Sequence, residues 1–127
     1  MIGAQNNIAG HGYLSLKYHA CLPASFTGAH VLHPFTKQLI PVWIADYVLA
    51  GYGTGAVMAV PGGDERDWRF AQHYKLPITA VVEGSDVENA ANPSKDSRII
   101  NSDFLNGLLV KDAIKAAIAD YKSRHGS

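Results

Sequence analysis

Residues 52–70, YGTGAVMAVPGGDERDWRF, constrain the fold more than any other part of the chain. A glycine-rich turn, an apolar run, a second glycine turn and an acid-loaded helix start follow in immediate succession. The run at 56–60 reads as a buried strand, which Pro61, Gly62 and Gly63 break. Asp64 is a good N-cap for a helix reaching about Tyr74, with Glu65 and Asp67 in the first turn, where the helix dipole favours acids. Such a succession makes a concave site, because glycines admit close backbone approach and a helix start offers N–H groups. Asp64, Arg66 and Asp67 place both charge signs within one turn. A carboxylate there can hold an ammonium group, and Arg66 can hold a phosphate or brace an aspartate. The same spacing fits a plain helix cap beside a surface Arg66–Asp67 pair, and spacing alone leaves both open. YGTG is no phosphate loop, since it lacks the Gly-Lys-Ser/Thr that cradles phosphates.

Around this centre the periodicities are mostly short. Residues 29–33 predict a strand that Pro34 ends. Residues 38–49, rich in β-branched and aromatic side chains, predict two strands joined near Ala45 and Asp46, with Pro41 at an edge or a strand start. Within the proposed helix, Phe70 and Tyr74 pair at i,i+4. Residues 78–82 read as a short buried strand, 83–97 as a polar loop and 98–100 as a returning strand. Val110, Ala113, Ile114, Ala117, Ile118 and Tyr121 follow helical spacing with a narrow apolar stripe, and Gly126 ends that helix. Trp43 and Trp68 read as core or cleft-wall aromatics. This order suits an α+β domain with a mostly antiparallel sheet or barrel.

The opening residues differ in character. Residues 1–45 hold Lys17 and Lys37, no acid, and four of the six histidines. Their opening, MIGAQNNIAGHG, is rich in Gly and Asn, and the best periodic piece is a weak alternation over residues 13–18. Residues 1–25 therefore read as a tail, a replaced segment or a cloning remnant rather than a shared core. His11, His19, Cys21, His30 and His33 have irregular spacing without CxxC or HxxxH pairs, which favours solvated or packed side chains over a metal site.

Composition excludes several classes. With 127 residues and 47% apolar content, one ordered domain is the default. The formal net charge is +0, so bulk charge gives no argument for a nucleic-acid partner, and any RNA contact is local. A single cysteine excludes an internal disulfide framework and fits a reducing compartment. No apolar run approaches the roughly 18 residues of a membrane span, and the first residues lack a basic region followed by an apolar one, so nothing in them suggests export.

Several motifs together resemble one family. Phe26-Thr27-Gly28, His33-Pro34-Phe35-Thr36, IPVWIADYVL at 40–49, YGTGAVMAVP and DERDWRFA are similar to the editing domain of class I leucyl-tRNA synthetase. IINSDFLNGLLVKDAIKAAI is similar to the C-terminal part of that domain. The resemblance covers residues 26–122, and the run from Tyr52 to Asp67 matches almost continuously. It implies an α+β fold, a β-barrel-like editing domain with flanking helices, here truncated. The implied division is a divergent segment at 1–25 and an editing-like domain at 26–127.

The implied function is post-transfer editing, hydrolysis of the ester joining norvaline or isoleucine to mischarged tRNA-Leu, with leucine excluded by size. By the resemblance, Asp67 anchors the substrate's α-ammonium, and Asp64 and Arg66 shape and brace that site. Tyr52, Gly53, Thr54, Met58 and Val60 bind the side chain and adenosine. The chemistry calls for no metal and no cofactor, because positioning and backbone donors suffice for water to attack an activated ester. The implied partners are the tRNA-Leu 3′ end and the remainder of a synthetase, in the cytoplasm and away from membranes. The alternatives are a catalytically silent fragment or paralogue that binds a tRNA 3′ end or a protein, and a free-standing protein with a new ligand.

Two departures bear on this. Gly63 stands where the family usually has histidine. The family's upstream threonine-rich segment has no counterpart, since the first threonine is Thr27. A barrel lacking those strands has unpaired edges, which predicts a dimer or coverage by residues 1–25.

Overall fold

The computed structural model describes residues 2–4, 23–46, 48, 51 and 54–126. The chain falls into two compact units, Met1–Ala59 and Val60–Ser127.

The first unit is built on strands. β1 (Ile2–Ala4), β2 (Ala24–Leu32), β3 (Leu39–Ala45) and β4 (Ala56–Met58) form one sheet in the order β2-β3-β1-β4. β2 pairs antiparallel with β3, β1 pairs parallel with β3, and β1 pairs antiparallel with β4. Among the described residues this sheet is open, whereas the resemblance led us to expect a barrel. Ile2–Ala4 lies between β3 and β4, so part of the opening segment joins the sheet. The weak alternation at 13–18 lies outside the described residues.

Two family-like motifs shape this sheet. In Phe26-Thr27-Gly28 the register shifts between Phe26 and His30, and Gly28 takes φ 80, a left-handed value suited to glycine. The Thr27 hydroxyl donates to the Val42 carbonyl at 2.8 Å and accepts the Ala29 N–H at 3.1 Å. A side chain thus bridges the bulge. At 33–36, His33 Nδ1 accepts the N–H groups of Phe35 and Thr36, both at 3.2 Å, and Lys37 Nζ donates to Pro34 O at 2.8 Å. Pro41, expected at an edge or a strand start, is instead the third residue of β3, opposite His30 and one residue before the Ile2–Val42 pair. Of the two strands predicted over 38–49, the first is β3. A turn follows at Asp46, and Tyr47 and Leu49 lie outside the described residues.

The second unit carries the helices, α1 (Glu65–His73) and α2 (Val110–His125), with a 3-10 turn at Asp103–Leu105 against α2. Its buried apolar side chains are Phe70, Ala71, Val82 and Ala113. Helix α1 starts at Asp64 as expected and stops in a left-handed Lys75, whose successor Leu76 donates back to Ala71 O at 2.8 Å. Phe70 and Tyr74 stack at 4.7 Å, as their spacing predicts.

Three expectations need correction. Residues 78–82 and 98–100 form single bridges, Val82 to Ile99 and Arg98 to Leu109, rather than strands. Two bonds frame the Val82–Ile99 bridge, Glu83 N–H to Arg98 O at 2.9 Å and Ile100 N–H to Val81 O at 3.0 Å, while Ile99 donates to Leu108 O and accepts from Gly107 N on its other side. Beyond it, the left-handed Asn101 (φ 52) meets Ala80 O with its side-chain amide at 2.8 Å, which ends the pairing. The run at 56–60 is a strand only to Met58, because the Val60 backbone bonds to α1's first turn. On α2, Ala113 is buried and Val110 and Ala117 are half-buried, while Ile114 is 55% and Ile118 52% exposed. The small residues form the packed face, and the large apolar residues point outward.

Candidate functional site

Asp64 is held as the N-cap of α1. Its Oδ1 accepts the N–H of Arg66 at 2.9 Å and of Asp67 at 3.1 Å, and its carbonyl accepts the Trp68 N–H at 2.8 Å. These satisfy donors that a helix start would otherwise leave unpaired. Asp67, three residues on, reaches back across the glycine turn, and its Oδ2 accepts the Val60 N–H at 2.7 Å. The Val60 carbonyl in turn accepts from Gly63 N at 3.0 Å and Asp64 N at 2.9 Å. The pattern is an extended capping box, in which the third helical residue bonds four residues before the cap instead of at the cap itself.

The two glycines of the turn differ. A Cβ on Gly62 would stand 2.7 Å from the Thr79 carbonyl oxygen, closer than real contacts allow, so this position requires glycine for close packing. The Gly62 carbonyl accepts the Asn92 N–H at 3.0 Å. A Cβ on Gly63 would meet Asn92 O and Val60 Cγ1 at 3.8 Å, ordinary contacts that leave room for a side chain.

The expected site residues divide between the units. Val60, Asp64, Arg66 and Asp67 come together around the turn in the second unit. Val60 is 50% exposed, and Arg66 contributes its backbone N–H to the cap while its side chain is exposed. Thr54 and Met58 belong to the first unit, Met58 at the end of β4 and 45% exposed. Tyr52 and Gly53 lie outside the described residues. The chemistry available at the turn is that of a carboxylate fixed in direction beside an exposed apolar residue, a means of orienting a cationic group. Trp68 extends the site in a way the sequence reading missed. Its indole N–H donates to Val87 O at 2.7 Å, and Gln72 Nε2 reaches Glu88 O at 3.4 Å. A tryptophan directly after Asp67, with polar residues twenty positions on, was the available signal.

Of the histidines and the cysteine, His11, His19 and Cys21 lie outside the described residues. His30 lies edge-on to Phe26 at 5.5 Å. Burial, followed by nearby positive charge that includes Lys37, pushes the His33 imidazole below its ordinary 6.5. This agrees with a neutral Nδ1 accepting two N–H groups. Among the described residues, no three His, Cys, Asp or Glu side chains are grouped to hold a metal ion, and no helix is long and apolar enough to cross a membrane.

A family model for the editing domain of leucyl-tRNA synthetase matches residues 23–122. A leucine–tRNA ligase of Amoebophilus asiaticus is 57% identical over 98 residues, covering 77% of this chain and 11% of the relative. One of Cytophaga hutchinsonii is 60% identical over 95 residues, covering 73% of this chain and 10% of the relative. One of Flavobacterium psychrophilum is 59% identical over 104 residues, covering 77% and 11%. The chain spans about a tenth of the length of the curated relatives it matches.

Proposed function

The chain belongs to the leucyl-tRNA synthetase editing-domain family, and from that premise we propose that it is a post-transfer editing module. It hydrolyses the ester that joins norvaline or isoleucine to mischarged tRNA-Leu, acting in the cytoplasm as part of a larger synthetase. The observation that carries this reading is the Asp67 carboxylate, fixed by the Val60 N–H at 2.7 Å at the exposed start of α1. A carboxylate accepts several hydrogen bonds, so one bond to the backbone fixes its direction while it receives the substrate's α-ammonium. Asp64 and Arg66 brace it through the cap and Val60 lies beside it, while the family resemblance assigns Tyr52, Gly53, Thr54 and Met58 to substrate binding. The open sheet is read as part of an editing barrel, to which the divergent opening segment contributes Ile2–Ala4. Water attacks the ester carbonyl and the ribose oxygen leaves. Orientation of the aminoacyl group supplies the rate gain.

A second reading is a silent fragment that keeps affinity for a tRNA 3′ end or a protein. It is favoured by the structural duties of the two aspartates, Asp64 as cap and Asp67 as lock of the turn. Deacylation of norvalyl- and isoleucyl-tRNA-Leu, with leucyl-tRNA-Leu and Asp67→Ala as controls, separates the two. Hydrolysis that spares leucine and disappears in the variant supports editing. A wild-type rate equal to the spontaneous rate supports the silent module.

A further inference from the structure

Two short stretches of the second unit close a ring. Residues 62–68 run from the glycine turn into α1. The Trp68 indole N–H donates to Val87 O at 2.7 Å, residues 87–92 lead back, and the Asn92 N–H donates to Gly62 O at 3.0 Å. The returning stretch has its own order. Asp86 accepts the side-chain amide of Asn89 at 2.7 Å and, through its carbonyl, the N–H groups of Asn89 and Ala90. The Asn92 side chain accepts the Ser94 N–H at 3.0 Å. Residues 87–92 therefore act as a strap with one end on α1 and the other on the turn.

The turn has little freedom of its own. Gly62 is trapped between the Thr79 carbonyl, which a Cβ would meet at 2.7 Å, and the Asn92 N–H. Two residues before it, Val60 aims its N–H at Asp67. Gly62, two residues from that N–H, is held by the strap on one side and the Thr79 carbonyl on the other.

We propose that Trp68 is a positioning residue, which through the strap at 87–92 and Gly62 holds the Val60 N–H on the Asp67 carboxylate. The consequence for ligands rests on the reading of Asp67 as the ammonium anchor; the consequence for the turn does not. Releasing the indole bond leaves the Val87 end of the strap tied to α1 by the longer Gln72 Nε2 contact to Glu88 O at 3.4 Å, and that slack at Gly62 loosens the carboxylate's direction. A ligand that uses that carboxylate then binds less well, whereas one that does not is unaffected.

The test uses the full chain with Trp68→Phe, which keeps an aromatic ring and removes the N–H. A second variant replaces Trp68 by benzothienylalanine, which keeps the bicyclic shape with sulfur in place of N–H, and so covers the case in which the smaller ring does not fold. Amide hydrogen exchange at Val60 is expected to rise about tenfold, while that of Ala71 inside α1 is unchanged. Unchanged exchange at Val60 overturns the proposal. An amide-linked norvalyl-adenosine analogue is expected to bind about fivefold more weakly to the variants, and its counterpart lacking the amino group equally well to all. Equal losses for both ligands overturn the positioning role. If the wild type binds both ligands alike, the ammonium reading fails, and the Val60 exchange still decides the role of Trp68.

Discussion

Asp67 and Val60 are joined across the glycine turn, with the Asp67 carboxylate accepting the Val60 N–H at 2.7 Å. The contact turns the Val60 backbone toward α1, two residues after β4 ends at Met58, and aims a first-turn acid. It also gives Asp67 two separable properties, an acceptor oxygen and a charge.

Asp67→Asn keeps an acceptor for Val60 and removes the charge, and Asp67→Ala removes both. Urea unfolding is expected to show a loss of about 0.5 kcal/mol for the asparagine, from the helix dipole. The alanine should lose about 1–2 kcal/mol as the Val60 bond goes too. Asp64→Ala removes the cap at Arg66 and Asp67 and should cost about 1 kcal/mol.

The neighbouring glycines should respond in opposite ways. Gly62→Ala drives a methyl to 2.7 Å from the Thr79 carbonyl, where backbone must move, and is expected to cost about 1–3 kcal/mol. Gly63→His meets only ordinary contacts and should leave stability within about 0.5 kcal/mol. Thermal denaturation of the two variants checks this, and it also shows whether the histidine usual in the family is sterically admissible here.

The turn after β2 should be pH-sensitive. Burial holds the His33 imidazole below 6.5, so the unfolded chain takes up a proton before the folded one does. Stability from this group is therefore complete above pH 6.5 and falls as pH drops from 6.5 through the lowered folded value. Protonated Nδ1 cannot accept from Phe35 and Thr36. Unfolding measured between pH 5 and 8 should show this slope, and His33→Asn should abolish it.

The bulge offers a fourth check. Thr27→Val removes a hydroxyl that serves both Val42 and Ala29 and is expected to cost about 1 kcal/mol. Gly28→Ala, at φ 80, should cost about 1 kcal/mol for backbone strain. Chemical denaturation followed by Trp43 fluorescence reads both.

Local signals were legible in the sequence where one residue type has one job. Asp64 as cap, the Phe70–Tyr74 stack and Gly126 as helix stop follow from short-range chemistry and stand as expected. The strand expected at 78–82 shrinks to one bridge because the left-handed Asn101 meets Ala80 O with its side chain, a choice invisible in the segment itself. The apolar stripe of α2 gave the helix but not its orientation, since Ala113 and Ala117 pack and Ile114 and Ile118 do not. At the candidate site, the acids were visible from spacing. The strap from Trp68 to Asn92 was not, because it depends on backbone carbonyls that carry no side-chain signature.

If the Asp67 carboxylate both locks the turn and anchors the substrate's ammonium, as proposed, the two duties part in Asp67→Asn. Deacylation of norvalyl-tRNA-Leu by the wild type and this variant, with both melting curves recorded, reads them together. Nearly coincident melting is expected, with a rate at least about a hundredfold lower in the variant. A variant that melts like the wild type and hydrolyses the ester at the same rate would contradict the proposal.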